Sequence, residues 1–278
     1  MLVVRLATAA ILIPILLIVL WAGGPLLAAA IALVTLLAAA EVSDLLRRAG
    51  LPVHTLVVAL LGLLAVAEAG YAPMETSWAL PAWFVLVLLA GAVVAVQQRD
   101  MQQSLLCWAG TALAALYAGM IAFLLRIPAT VTPGGAEGWL VELLDAGRAW
   151  LLVLVLGVWA YDSAAYSVGR VWGRNHFFAH VSPHKTWSGA LGGSLAAVLA
   201  CVGLGALIGR PWEAAGLGVL IALTAPVGDL AESVLKRAAG VKDSGQLIPG
   251  HGGMLDRIDS FVTAAPAAWV YLASLGLV

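Results

Sequence analysis

The sequence predicts an all-α, polytopic integral membrane protein. Three observations carry that expectation. Of its 278 residues 63% are hydrophobic, and only 10% are charged, against about a quarter in soluble globular domains. Apolar runs of spanning length, roughly 20 residues each, also recur from one end of the chain to the other. The opening run, LVVRLATAAILIPILLIVLWAG, is too long, and too soon followed by another, to suit a cleaved leader, and is expected to be retained.

Apolar runs between polar or Gly/Pro breaks predict about nine helices, over 3–22, 25–46, 51–70, 79–97, 103–125, 149–169, 187–208, 215–237 and 259–277. The first two are joined by AGGP, with Pro25 suited to a first helical turn, and should form an antiparallel hairpin. The first five carry almost no interior charge and no interpretable motif, so residues 1–126 form an N-terminal membrane region. IPATVTPGGAEGWLVELLDAG, 127–147, should be an outer loop with one short amphipathic piece. Residues 148–278 hold the remaining helices and all the candidate chemistry. No internal repeat is visible.

A net charge of -1 says little about partners, because the placement of charge matters more in a membrane protein. With the N-terminus inside, the cytoplasmic side receives Arg5, Arg47, Arg48, Arg99, Arg170, Arg174, Lys185, Lys236, Arg237, Lys242 and Arg257. The outer side receives Arg126, Arg148 and Arg210, so eleven of the 14 basic residues lie inside and three outside. The excess of Lys and Arg in cytoplasmic segments sets this orientation. Glu68, Glu75, Glu137, Glu142 and Asp145 then fall at or beyond the outer ends. Cys107 and Cys201, far apart in apolar runs, are expected to be small buried hydrophobes.

Two polar segments, 161–193 and 228–260, fall on the same side under this topology and can meet in one site. In the second, Asp229, Glu232, Ser233 and Lys236 follow i, i+3, i+4, i+7 spacing and share one helix face. Charge inside a span is expensive unless it faces a cavity or a partner, and marks function by default. Asp256 and Asp259 stand i, i+3 where the last helix begins. Complementing a helix dipole would account for Asp259, but not for Asp229 in a C-terminal half. Few hard oxygen ligands beside basic residues suit Mg²⁺ bound jointly by protein and phosphates. Between the helices, Gly245, Gly250, Gly252 and Gly253 permit close approach of backbone amides to an anion, and HGG leads into a helix N-terminus. Lys236, Arg237, Lys242 and Arg257 add cationic donors. Contact with lipid headgroups is an alternative for basic residues at this face, and suffices for Arg47 and Arg48. In the first segment the Gly169/Gly173 spacing suits helix packing as well as a ligand site. His176, His180 and His184 are four apart, but Pro183 should break a helix that would align them as metal ligands.

The stretch SVLKRAAGVKDSGQLIPGHGGMLDRIDS, Ser233 to Ser260, resembles the C-terminal motif of the phosphatidate cytidylyltransferase (CDP-diacylglycerol synthase) family. Its fixed positions correspond to Ser233, Lys236, Arg237, Lys242, Asp243, Pro249, His251, Gly252, Gly253, Asp256, Arg257 and Asp259. An upstream run is similar to the same family through Asp162, Ala165, Tyr166, Gly169, Arg170, Gly173, Arg174, Ser182, Pro183, Lys185, Thr186 and Gly189, with His184 standing where Gly is more usual. The resemblance covers about residues 160–260.

That resemblance implies transfer of CMP from CTP to phosphatidate, giving CDP-diacylglycerol and pyrophosphate in phospholipid biosynthesis, with Mg²⁺ and a monovalent cation such as K⁺. Asp229 and Asp256 are the expected metal ligands, and Asp259 a further acidic candidate. Lys236, Arg237, Lys242 and Arg257 would hold phosphates, with Ser182 and Lys185 contributing from the upstream segment. Asp243 joins the catalytic candidates; Thr186, Ser233, Gly252 and Gly253 join the substrate-binding ones. His251 suits either a proton carrier or a loop-ordering hydrogen bond. The expected setting is the cell's inner membrane, with N-terminus and site cytoplasmic, a homodimeric assembly and no nucleic-acid partner. A secondary transporter would also place acidic and basic groups inside spans, but should show two related halves with paired broken helices. A related enzyme using CTP with another lipid, such as a polyprenol kinase or an archaeal-lipid cytidylyltransferase, should match the C-terminal motif less fully.

Overall fold

A computed structural model describes residues 2–71, 78–250 and 252–278. Glu75 and His251 therefore lie outside the described residues. Within them lie eleven α-helices: α1 (Leu2–Ala22), α2 (Gly24–Arg48), α3 (Thr55–Tyr71), α4 (Ala79–Ala95), α5 (Met101–Gly119), α6 (Phe123–Thr130), α7 (Trp139–Leu144), α8 (Ala146–Trp172), α9 (Trp187–Leu207), α10 (Pro211–Ala238) and α11 (Leu255–Ser274). No strand occurs among the described residues beyond two isolated bridges. Five segments are long and apolar enough to span a membrane: α2, α5 continued through α6, α8, α9 and α10. Shorter apolar stretches lie at Ala10–Ala22, α3 and α4. The protein is an all-α integral membrane protein, and each of the nine predicted runs overlaps a helix.

The differences from expectation are local. The fifth predicted helix is interrupted by a 3₁₀ turn at Met120–Ala122. Predicted loop 127–147 instead continues α6 to Thr130, makes a 3₁₀ turn at Pro133–Gly135 and forms α7. Asp145, at φ 98°, ends α7 and caps α8 by accepting from the Arg148 amide at 2.8 Å. The eighth helix begins at Pro211 rather than 215, because proline's fixed φ and missing donor suit a first turn. The last begins at Leu255 rather than 259, which brings Asp256 into its first turn.

The chain divides into two units, one of Met1–Arg126 with Val234–Ile258, the other of Ile127–Ser233 with Asp259–Val278. This groups 234–258 with the N-terminal helices, whereas the sequence reading keeps 148–278 as one region. In the first unit α2, α3, α4 and α5 pack on one another. Small buried residues such as Ala38, Ala39, Ala114, Ala115 and Ala118 let backbones come close. The Trp83 indole N–H donates to the Leu61 carbonyl at 2.8 Å, and its ring occupies the space where a Cβ on Gly119 would sit. Arg126 and Glu68 form a buried ion pair. Cys107 is buried and free.

In the second unit α8 packs along α9. Gly189 and Gly193 lie against the carbonyls of Ala165 and Tyr161, and Gly157 against the Cys201 sulfur, with no room for a Cβ at any of them. Cys201 too is buried and free. Trp150, fully buried, donates its indole N–H to the Gly135 carbonyl at 3.1 Å. Gly169 likewise meets Thr186 and Gly189, so this glycine serves close packing at the start of α9.

Candidate active site

Two clusters of charge stand out, one in each unit, and each is held by its own residues.

The first lies in the segment from the last turn of α10 to the first turn of α11. The Lys236 ammonium donates to Asp256 Oδ1 at 2.6 Å. Asp256 Oδ2 accepts from the Ser244 amide, the Ser244 hydroxyl and the Gly253 amide, each at 2.9 Å. Burial by itself would raise the Asp256 carboxyl; the Lys236 hydrogen bond and charge and the two backbone amides outweigh it and hold the group below its ordinary value. The loop is shaped to reach this carboxylate. Gly252, at φ +83°, approaches so closely that a Cβ would stand 2.6 Å from Asp256 Oδ2. Ile248 N–H donates to the Gly252 carbonyl at 2.9 Å. Of the four glycines expected to bring amides to an anion, Gly253 donates its N–H to a carboxylate of the protein itself, with the neighbouring backbone donor coming from Ser244.

The second cluster is more open. α8 ends at Trp172, and 173–186 forms an irregular hairpin in which the Trp187 amide donates to the Asn175 carbonyl at 3.0 Å and the Phe177 amide to the Lys185 carbonyl at 3.2 Å. His176, His180 and His184 lie in that hairpin and not along one helix. Thr186 caps α9 by accepting from the Gly189 amide at 3.1 Å. That cap fixes the preceding residue, Lys185, whose ammonium lies 2.7 Å from Asp229 Oδ2. Asp162, on α8, feels the charges of Asp259, Asp229 and Lys185, and Ser260 Oγ lies 3.5 Å from its Oδ1. Asp259 Oδ1 accepts from the Ser260 amide at 2.7 Å. Gly228 permits the approach: a Cβ there would collide with the Asp259 carbonyl oxygen. Glu232 and Ser233, on the same helix as Asp229, are buried.

Of the other expected residues, Arg237, Lys242, Asp243 and Arg257 are exposed, and Ser182 is half-buried. The Arg237 guanidinium donates to the Val241 carbonyl at 3.1 Å. Two residues that were given no role belong to the clusters. Asp162 stood among the motif positions of the upstream run, and a charge inside a spanning helix is a default mark of function. Glu41, on α2, accepts from Ser244, Met254 and Leu255, and nothing near it in sequence announces that role.

The donor chemistry tests the expected cation. Asp162, Asp229 and Asp259 offer hard oxygens of the type that binds Mg²⁺, and the Asp229 side chain is 36% exposed with Lys185 on one oxygen. Asp256, 7% exposed, has both oxygens engaged. Among the described residues no group of three or more His, Cys, Asp or Glu is arranged as a finished metal site.

Fold and clusters together define an integral membrane protein with paired acidic and basic groups set into its helices and one long polar loop. The family model of the cytidylyltransferase family matches residues 3–275, and the chain belongs to that family. It is 40% identical over 133 residues to the phosphatidate cytidylyltransferase of Mycobacterium bovis, covering 47% of this chain and 44% of that protein. It is 43% identical over 127 residues to that of Brucella suis biovar 1, with 45% and 47% covered. With that of Synechocystis sp. the identity is 47% over 133 residues, with 45% and 44% covered. The matched part thus spans just under half the length of these curated relatives.

Proposed function

We propose that the protein is a CTP:phosphatidate cytidylyltransferase, a nucleotidyltransferase that gives CDP-diacylglycerol and pyrophosphate in phospholipid biosynthesis. The observation that carries this reading is family membership along the chain, with relatives of that name at 40–47% identity. The charged motif adds support, since Lys236, Ser244 and Asp256 form one built network and Lys185 and Asp229 another.

The reaction we infer is attack by a phosphatidate oxygen on the α-phosphorus of CTP, with pyrophosphate leaving. Such transfers depend on positioning and on neutralising charge. Lys185 and the exposed Arg237, Lys242 and Arg257 are suited to phosphate oxygens. Asp229, with Asp162 and Asp259 nearby in the same unit, would hold Mg²⁺, which when bound neutralises phosphate charge. At Asp256, metal binding would require a proton donor or Lys236 to withdraw, so we assign that carboxylate mainly to ordering its loop. A monovalent cation such as K⁺ and a homodimer remain parts of the proposal. So does the orientation: eleven of 14 basic residues suit a cytoplasmic face of the inner membrane, where soluble CTP and bilayer phosphatidate can both be reached.

The test uses full-length protein in phosphatidate-containing nanodiscs with CTP and Mg²⁺. CDP-diacylglycerol and pyrophosphate should form in equal amounts; absence of both with folded protein would refute the proposal.

A further inference from the structure

We infer that Glu41, on α2, is a positioning residue for the cytidylyl-transfer reaction, acting by holding the 244–255 loop and the first turn of α11. The inference rests on the function proposed above for its catalytic half, and on geometry for its structural half. All residues concerned belong to the first unit.

Glu41 lies near the end of a helix whose other charged residues are Asp44, Arg47 and Arg48 in its last turns. Its carboxylate accepts from the Met254 amide at 3.0 Å, the Leu255 amide at 2.7 Å and the Ser244 hydroxyl at 3.1 Å, across more than 200 residues of chain. Met254 and Leu255 stand at the start of α11, whose first amides have no partner within the helix. A carboxylate there satisfies them and complements the positive end of the helix dipole. Glu41 thus does the work of an N-cap from a distant helix.

The glycines next to it fit that role. A Cβ on Gly253 would overlap the Ser244 hydroxyl oxygen and stand 2.5 Å from Glu41 Oε2, and one on Gly245 would stand 2.5 Å from Oε1. Gly245 and Gly253 are therefore needed for the approach of Glu41, whatever else the loop binds. Ser244 links Glu41 to the motif residues, since its hydroxyl lies 3.1 Å from Glu41 Oε2 and 2.9 Å from Asp256 Oδ2. A hydroxyl has one proton to donate, so two carboxylates share one donor. Removing Glu41 commits that proton to Asp256 and frees two helix-start amides, which loosens the segment carrying Asp256.

The experiment compares wild type, Glu41→Gln and Glu41→Ala, full-length in nanodiscs, by hydrogen exchange and by steady-state kinetics. In Glu41→Ala the Met254 and Leu255 amides should exchange about tenfold faster or more, with α8 and α9 amides unchanged. The kcat should fall on the order of 10²-fold, as for a small misplacement of reacting groups, while KM for CTP moves less than about threefold. Glu41→Gln, which keeps one accepting oxygen and the shape, should recover part of both effects and guards against a misfolded alanine variant. Unchanged exchange in both variants overturns the capping role; faster exchange with unchanged kcat overturns the positioning role. Wild type without cytidylyl transfer refutes the function proposed above, and the exchange result then decides the capping claim alone.

Discussion

Asp256 and Asp229 look alike in the sequence, each an acid in a charged helix end with a basic residue in reach, yet their surroundings differ in kind. Asp256 is 7% exposed, and its two oxygens take one lysine, one hydroxyl and two amides. Asp229 is 36% exposed, and Lys185 engages one of its oxygens. A saturated carboxylate is an organiser of structure, because a new ligand must displace a bond already made. A half-engaged, accessible one can take a cation or substrate charge without that cost. The same contrast separates the two clusters: the loop around Asp256 is closed on itself, and the group of Asp162, Asp229 and Asp259 is not.

The comparison breaks most sharply at Asp229. Asp229→Asn should lower CDP-diacylglycerol formation on the order of 10³-fold or more while leaving the melting temperature in detergent nearly unmoved; a large loss of stability would put Asp229 in the organising class. Asp256→Asn should lower turnover and stability together, since losing one partner of a buried pair costs about 3–5 kcal/mol. Thermal denaturation of the variant would detect this, and an unshifted transition would contradict the saturated picture. Gly253→Ala forces a methyl group into Ser244 and Glu41, and should cost about 1–3 kcal/mol with a smaller fall in turnover per folded molecule. Asp44→Ala, which removes the exposed pairing with Arg48, should change stability by less than about 1 kcal/mol and leave turnover alone.

Much of this was legible in the sequence, and the exceptions have physical reasons. Apolar runs and Pro/Gly breaks locate the helices, because the bilayer demands a length of apolar helix that nothing else in a chain imitates. Start points slipped by about four residues at Pro211 and Leu255, where a polar first turn still belongs to the helix. The motif 233–260 points to Lys236 and Asp256 through its fixed spacing, but not to Ser244, which links them to Glu41. It does not say which glycine serves a ligand and which serves a carboxylate of the protein, and the approaches at Gly252 and Gly253 belong to Asp256 and Glu41. Glu41 itself was hidden, because its partners stand more than 200 residues away and an acid near the end of a helix has many uses. Local periodicity carries no trace of such a contact.

The most direct test of the central claim is the fate of labelled phosphate in a nanodisc assay with phosphatidate and Mg²⁺, run in parallel with CTP labelled at the α- and at the γ-position. Cytidylyl transfer predicts that the α-label enters the lipid fraction and the γ-label leaves as pyrophosphate. A γ-label in the lipid would make the enzyme a CTP-dependent kinase, and no label in lipid from either CTP would contradict the proposed activity altogether.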